Sequence, residues 1–478
     1  MNNEDFRAAG HAMVDWIADY FANIESYPVR AQVKPGEIAA KLPASAPESG
    51  TAMAEIMADF ERDIMPGITH WQHPSFFAYF PANASPPSVL AEFLTAAIAA
   101  QCMLWQTSPA ANEMEGRVLD WLAQLIGLPE GFRGVIQDSA TSATLVALLT
   151  AREQASGWRG NDAGLFALGA EGQRFAVYCS EESHSSIEKG LKVIGLGRDN
   201  LRKIAVNDDL SIDLEVLART VAEDRAVGIT PLAIVAALGG TGTGAIDPLR
   251  PLGEFARAEK VWLHVDGAWA GSALICPELH HLIDGIELAD SLVFNPHKWL
   301  FTNFDCSAYY VRDAGALERT LALVPEYLKS RESDQVTDYQ NWSVPLGRRF
   351  RALKLWFVLR SYGAEGLREK IRAHMTLAAA LYAKVVAAED FEITSPLRLS
   401  LFSFRYRPKG VTEDQLDAVN EELLARLNDS GRIYLTQNRF RGRFVIRFQV
   451  GGQMTETRHV EEAWELIQQV ARGMEPQG

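Results

Sequence analysis

The sequence predicts an α/β protein with a mostly parallel sheet, preceded by an N-terminal helical segment and followed by a small α+β domain. Three observations carry that expectation. Apolar strand candidates alternate with helical stretches through the middle of the chain, the pattern of strand–helix–strand units. Two of those strands end in polar residues, where sheets of this kind place their ligands. The chain has 478 residues, more than one hydrophobic core usually supports, so several subdomains are expected.

From the N-terminus, Phe6, Met13, Ile17 and Phe21 recur at helical spacing across Glu4–Phe21, and a second helical pattern covers Ala52–Ile64. Pro35, Pro43 and Pro47 lie between them and read as an extended crossing. Two helices joined in this way have little core of their own, so residues 1–85 are expected to rest on another surface, that of a partner subunit. The alternating region spans 86–360. Its strand candidates are Arg174–Cys179, Leu232–Leu238, Val261–Val265, Ser291–Phe294 and Ala308–Val311, with helices expected at Asp213–Asp224 and Leu249–Ala258. Over 361–478, strand-like Glu392–Tyr406 and Arg443–Val450 flank a helix at Thr412–Leu427, and a last helix covers Val460–Ala471.

Composition excludes several classes. Acidic residues outnumber basic ones 61 to 46, a net charge of −15, and no long basic stripe offsets it, so nucleic acid is not an expected partner. The run Arg348-Arg349-Phe350-Arg351 is too short to serve and reads as part of an apolar helical pattern. Cys102, Cys179, Cys276 and Cys306 are widely spaced, and the histidines show no metal-ligand spacing. Neither a disulfide framework nor a metal site is expected, and the cytoplasm is the expected compartment. The first residues lack the basic and apolar blocks of a signal peptide, and stretches such as Phe93–Ala100 fall short of a membrane span.

Chemistry concentrates in three places. Trp262-Leu263-His264-Val265-Asp266-Gly267-Ala268 delivers a carboxylate at a strand end, followed by small residues that leave room for a ligand. Phe294-Asn295-Pro296-His297-Lys298-Trp299 delivers an amine in the same way. An amine that forms a Schiff base, and a carboxylate that keeps a pyridine nitrogen protonated, together suit pyridoxal phosphate. Taken singly, they could be a surface lysine and a helix-capping aspartate. The third place is Gly134–Ser142, where Ser139, Ala140 and Thr141 open a helix whose free N–H groups attract a phosphate, or which is simply capped. His184 follows the strand candidate Arg174–Cys179 and could stack on a flat ring or be structural. Gly239–Gly244 lacks a P-loop ending and reads as a tight turn near the ligand.

Together with Phe76-Phe77-Ala78-Tyr79-Phe80-Pro81 and Pro345-Leu346-Gly347-Arg348-Arg349-Phe350, these segments resemble the group II pyridoxal-phosphate decarboxylases, in particular the aromatic-L-amino-acid decarboxylases, nearly end to end. The resemblance implies a fold type I homodimer with active sites at the subunit interface. It implies that Lys298 holds the cofactor, Asp266 pairs with the ring nitrogen, His184 stacks on the ring and Ala268 covers the other face. Ser139, Ala140, Thr141 and Asn295 would hold the phosphate, with His297 nearby. Trp71, Tyr79, Phe80, Pro81, Ala82, Gln101 and Met103 fall at substrate-pocket positions. Tyr327 matches a loop tyrosine that returns a proton to the substrate, and the polar stretch Lys329–Asp338 after it reads as mobile.

The chain departs from the family pattern at Asp138 and Thr141 in the phosphate segment, at Ala237 where a threonine is common, and at Ala82, Gln101 and Met103. The expected reaction is decarboxylation of a tryptophan, tyrosine, phenylalanine, DOPA or 5-hydroxytryptophan type of substrate to the amine. One alternative is oxidative decarboxylation with deamination to an aldehyde, which in the family accompanies loss of the loop tyrosine or the stacking histidine. Another is a catalytically silent cofactor-binding protein, which would lack Lys298 or the tyrosine. Histidine or glutamate as substrate fits less well, since Trp71, Tyr79 and Phe80 favour a flat apolar ring.

Overall fold

The computed structural model describes residues 1–323 and 335–474. The chain forms two compact units. One comprises Met1–Pro81, Leu377–Thr394 and Ser403–Gly478, and the other Ala82–Thr376 and Ser395–Phe402.

The second unit holds a seven-stranded sheet: β1 Arg133–Gln137, β2 Arg174–Ser180, β3 Leu201–Ile204, β4 Ile229–Ala237, β5 Trp262–Asp266, β6 Ser291–Phe294 and β7 Ser307–Val311. Their order is β1-β7-β6-β5-β4-β2-β3. Pairings from β3 through β2, β4 and β5 to β6 are parallel, while β7 runs antiparallel to both β6 and β1. Strands buried on both faces need continuous apolar runs, which Ala176–Cys179, Leu232–Ala237 and Leu292–Phe294 supply. Helices Ala140–Ala155, Leu214–Ala226 and Leu249–Glu259 lie between strands. Ser139 and Asp213 cap the first two through their side-chain oxygens. Val135, Val146, Leu148, Val177, Leu232 and Val235 centre the core.

All five expected strands are present, within a few residues of the expected bounds. Register brings the strand ends level: Ala237 on β4 faces Asp266 on β5, and Asp266 faces Val293 on β6. The residues that follow these strands therefore emerge side by side at the carboxyl edge of the sheet, where parallel sheets bind ligands.

In the first unit, helix Asn3–Ala22 starts from a capping box between Asn2 and Asp5 and has no buried residue. Helix Met53–Asp59 continues as a wider turn over Phe60–Ile64. An apolar cavity of about 840 Å³ is lined by residues of both, among them Ala8, Ala12, Met13, Trp16, Met53 and Met57. A second sheet, most of it in this unit, has the order β10-β11-β9-β8, from β8 Phe391–Arg398, β9 Leu401–Tyr406, β10 Thr436–Phe440 and β11 Arg443–Gln449. The segment Glu392–Tyr406, expected as one strand, is thus two, broken at Leu399, whose φ is +53°. Helices Leu416–Asp429 and Thr457–Arg472 complete this unit. Among the described residues no helix is long and apolar enough to cross a membrane.

Candidate active site

Asp266 ends β5, and its carboxylate Oδ1 accepts the N–H of Ala268 at 3.1 Å. The chain beyond is stitched to β6: Gly267 N–H donates to Val293 C=O at 2.9 Å, and Asn295 N–H to Ala268 C=O at 3.0 Å. Lys298 lies on the one-turn helix Pro296–Trp299, partly exposed between buried neighbours. Its N–H donates to Asn295 C=O at 2.9 Å. Its own carbonyl accepts the Asn83 amide at 2.6 Å. The backbone carrying the amine is therefore held from both sides.

His297 and Asn295 are buried and committed to the scaffold. His297 Nδ1 accepts the N–H of Cys306 at 2.9 Å. Burial, and then the neighbouring Lys298 charge, push its pKa down to about 3, so the ring is neutral near pH 7. Asn295 Oδ1 accepts the Ser307 hydroxyl at 2.7 Å, which orients the side-chain amide. One residue beyond Lys298, Trp299 stacks on Trp269 with ring centres 5.0 Å apart, and its indole N–H donates to His374 Nδ1 at 2.9 Å.

His184 stands in the segment after β2, and its Nδ1 accepts the Ser186 N–H at 3.1 Å, which leaves the proton of the neutral ring on Nε2. The ring presents open surface, yet the protein around it lowers its pKa. Burial is the largest cause; the Asp266 charge opposes it and the Lys298 charge adds to it. Residues from three strand ends thus share one electrostatic environment, and the structure brings His184, Asp266 and Lys298 together.

Ser139 acts as a helix cap: its Oγ accepts the Ser142 N–H and donates to Asp138 Oδ1, both at 3.1 Å. This does not close the site to an anion. The first helical hydrogen bond is Ala143 N–H to Ser139 C=O, so the N–H groups of Ala140 and Thr141 lie ahead of the ladder. Thr141 and His184 share a cleft of about 450 Å³ with Ser185, Ser186, Lys189 and Lys192. Gly239 and Gly240 both donate to Ala245 C=O, the tight turn expected of that run. At Gly239, with φ +85°, a Cβ would lie 2.5 Å from Ala270 Cβ.

The substrate-pocket candidates fall in both units. In the first, Trp71 and Tyr79 are exposed and stacked, 5.6 Å between centres at 19°. The Tyr79 hydroxyl lies 3.2 Å from that of Tyr434, and Tyr79 has φ +46°. Phe80 is buried, with the Arg447 guanidinium 5.4 Å from its ring centre, and Pro81 is buried beside it in sequence. In the second unit, Ala82 is half-buried. Gln101 is exposed but committed: its side-chain oxygen accepts the Arg348 N–H at 2.6 Å. Met103 is half-buried, and its carbonyl accepts the Gln340 N–H at 3.0 Å. Tyr327 and residues 329–334 lie outside the described residues.

Sequence reasoning missed Asp247. This fully buried carboxylate accepts the Ala237 N–H at 2.7 Å and the Ile212 N–H at 2.8 Å, fixing the end of β4 beside Asp266. Burial raises its pKa to about 6. An aspartate after a glycine-rich turn gives no signal of such a task.

An amine, a carboxylate, a neutral imidazole and an anion-accepting helix start therefore meet at one edge of a parallel sheet. Residues 35–407 match the family model described as the pyridoxal-dependent decarboxylase conserved domain. The chain belongs to this family. Its cofactor is pyridoxal phosphate, and the residues present fit that molecule: a carboxylate, an amine, an imidazole and helix-start N–H groups that lie ahead of the ladder. Among similar decarboxylase-family proteins, phenylacetaldehyde synthase of Arabidopsis thaliana is 42% identical over 98% of this chain and 96% of its own. Tryptophan decarboxylase 2 of Oryza sativa subsp. japonica is 40% identical over 98% and 95%. The crystal structure of Oryza sativa TDC with PLP and tryptamine superposes with a TM-score of 0.94 at 38% identity, covering 99% of this chain and 98% of that one.

Proposed function

We propose that this decarboxylase removes the α-carboxylate of an aromatic L-amino acid, releasing the aromatic amine and CO₂. The observation that carries the reading is the shared environment of His184, Asp266 and Lys298, with Thr141 of the helix start in the same cleft as His184. Bound pyridoxal phosphate supplies an electron sink for the bond that breaks. Lys298 would hold it covalently, and Asp266 would keep a proton on its ring nitrogen. His184, neutral at Nδ1, would lie flat on one face and Ala268 on the other. Ser139, Ala140, Thr141 and Asn295 would receive the phosphate, with His297 fixing the backbone beside Lys298. Tyr327 would return a proton to the substrate α-carbon. The Trp71–Tyr79 stack, with Phe80 and Pro81, would offer a surface for a flat ring; Ala82, Gln101 and Met103 would be further substrate-binding positions.

The enzyme would act as a cytoplasmic homodimer. Helix Asn3–Ala22 buries nothing of its own, exposes Phe6, Met13 and Val14, and lines the apolar cavity with Met53 and Met57. A second subunit would cover such a surface. Residues 1–85 would make that contact, 86–360 would hold the cofactor and 361–478 would complete the fold. The four cysteines are unpaired and buried, as a reducing compartment allows.

A second reading, oxidative decarboxylation and deamination to the aldehyde, is favoured by the 42% identity to phenylacetaldehyde synthase. The presence of both Tyr327 and His184 supports the amine. Incubation with tryptophan, tyrosine, phenylalanine, DOPA, 5-hydroxytryptophan, histidine and glutamate decides, with amine, CO₂, aldehyde and hydrogen peroxide measured together. Amine without peroxide is expected. Stoichiometric aldehyde and peroxide would establish the second reading, and no product from any substrate would remove both.

A further inference from the structure

Among the described residues β1 is an edge strand, paired only with β7, and it leads directly into Asp138 and Ser139. An edge strand leaves backbone groups that need partners. At Ile136 those groups meet two side chains. The Ile136 N–H donates to Glu115 Oε1 at 2.8 Å, and the Ile136 carbonyl accepts from Arg348 Nη2 at 3.2 Å. Arg348 Nη2 also pairs with Glu115, while Nη1 donates to the Ser343 hydroxyl. Both side chains are almost wholly buried, 2% exposed for Arg348 and 3% for Glu115. The Gln137 amide, next along β1, donates to Trp342 C=O at 2.8 Å. An acid and a base from elements 233 residues apart thus occupy the place of an outer neighbouring strand.

We propose that Glu115 and Arg348 are positioning residues for the cofactor phosphate: by capping Ile136 they set where Ser139, Ala140 and Thr141 stand. This rests on the reading of those three residues as the phosphate cradle. A buried pair that only stabilised the fold would affect every ligand of the site alike. A pair that places the cradle affects ligands that carry the phosphate and spares those that do not.

The test compares pyridoxal phosphate with pyridoxal, which lacks the phosphate. Removing one partner strands a buried charge, so Glu115→Met/Arg348→Met is the informative variant: apolar replacement of both partners is often neutral for stability. Arg348→Lys keeps the charge but loses the fork that reaches Ser343 through Nη1 and Glu115 and Ile136 through Nη2. Affinities are read by titrating each ligand into cofactor-free protein and following absorbance of the lysine-bound form, with circular dichroism to verify folding. The double variant should lose roughly 10- to 100-fold in preference for pyridoxal phosphate over pyridoxal, the range over which outer hydrogen-bond partners act on bound groups. Arg348→Lys should fall between it and the native protein. An unchanged preference, or equal losses for both ligands, would overturn the proposal. If the native protein itself shows no preference for the phosphate, the cradle reading fails and the proposal with it.

Discussion

Two buried imidazoles make the cofactor-binding unit sensitive to acid. Burial is the largest cause in both cases, holding His264 at about 4 and His297 at about 3. In the unfolded chain each takes up its proton near 6.5. Below that pH the unfolded state binds more protons than the native state, so stability falls as pH falls. At pH 5 each imidazole contributes a loss of about 2 kcal/mol, about 4 together. Asp247 acts in the opposite sense, because burial raises its pKa to about 6 from 3.8. Its native state binds protons first as pH falls, returning about 1.4 kcal/mol by pH 5. These three groups together remove about 3 kcal/mol between pH 8 and 5, a large share of a typical stability of about 5–15 kcal/mol. His184, also lowered, adds to the loss. Urea denaturation followed by circular dichroism from pH 8 to pH 5 measures it in native enzyme and in His264→Gln. The glutamine can keep contacts to Thr144 and Ser291 but cannot titrate. It should reduce the loss by about 2 kcal/mol. Identical slopes in the two proteins, or a decline that starts only below pH 4.5, would refute the reasoning.

Asp266→Ala should weaken pyridoxal phosphate binding and remove most turnover, each unit lost from the ring nitrogen's pKa amounting to about 1.4 kcal/mol; cofactor titration and amine release check both. Tyr327→Phe should lower amine formation ~10²–10⁴-fold, with aldehyde, ammonia and peroxide appearing in its place, as a product assay would detect. Borohydride reduction followed by peptide mass spectrometry should place the pyridoxyl group on Lys298. Phe6→Asp/Met13→Asp, on the helix that buries nothing, should give a monomer in analytical ultracentrifugation and abolish activity with it.

What could be read from sequence follows physical rules. Strands β2, β4, β5, β6 and β7 were legible because burial on both faces demands unbroken apolar runs. β1 gives no such signal: it begins exposed at Arg133 and contains Gly134, so only its last three residues are buried. β10 carries Gln437, Asn438 and Arg439, the polar composition an edge strand tolerates. Lys298 and Asp266 stood out because each ends a buried strand with a charge. Tertiary pairing leaves no such trace. Arg348-Arg349-Phe350-Arg351 reads as a short basic patch in a helical pattern, but the helix begins only at Arg351. The three arginines instead meet separate acids, Glu115, Glu92 and Asp305, each far away in sequence. Gln101, read as a pocket residue, also serves this segment through the Arg348 N–H.

The Trp269–Trp299 stack gives the enzyme a built-in optical reporter. The two indoles, tilted by 21°, sit one residue past Ala268 and one residue past Lys298. Two chromophores at 5.0 Å couple their transitions, so the folded site should carry a near-ultraviolet dichroic signature that other tryptophans do not share. A coenzyme absorbing at longer wavelength beside them would drain their emission. Loading and release can therefore be followed in real time on unlabelled protein, and a Trp269→Phe enzyme, stripped of the coupled signal, supplies the blank.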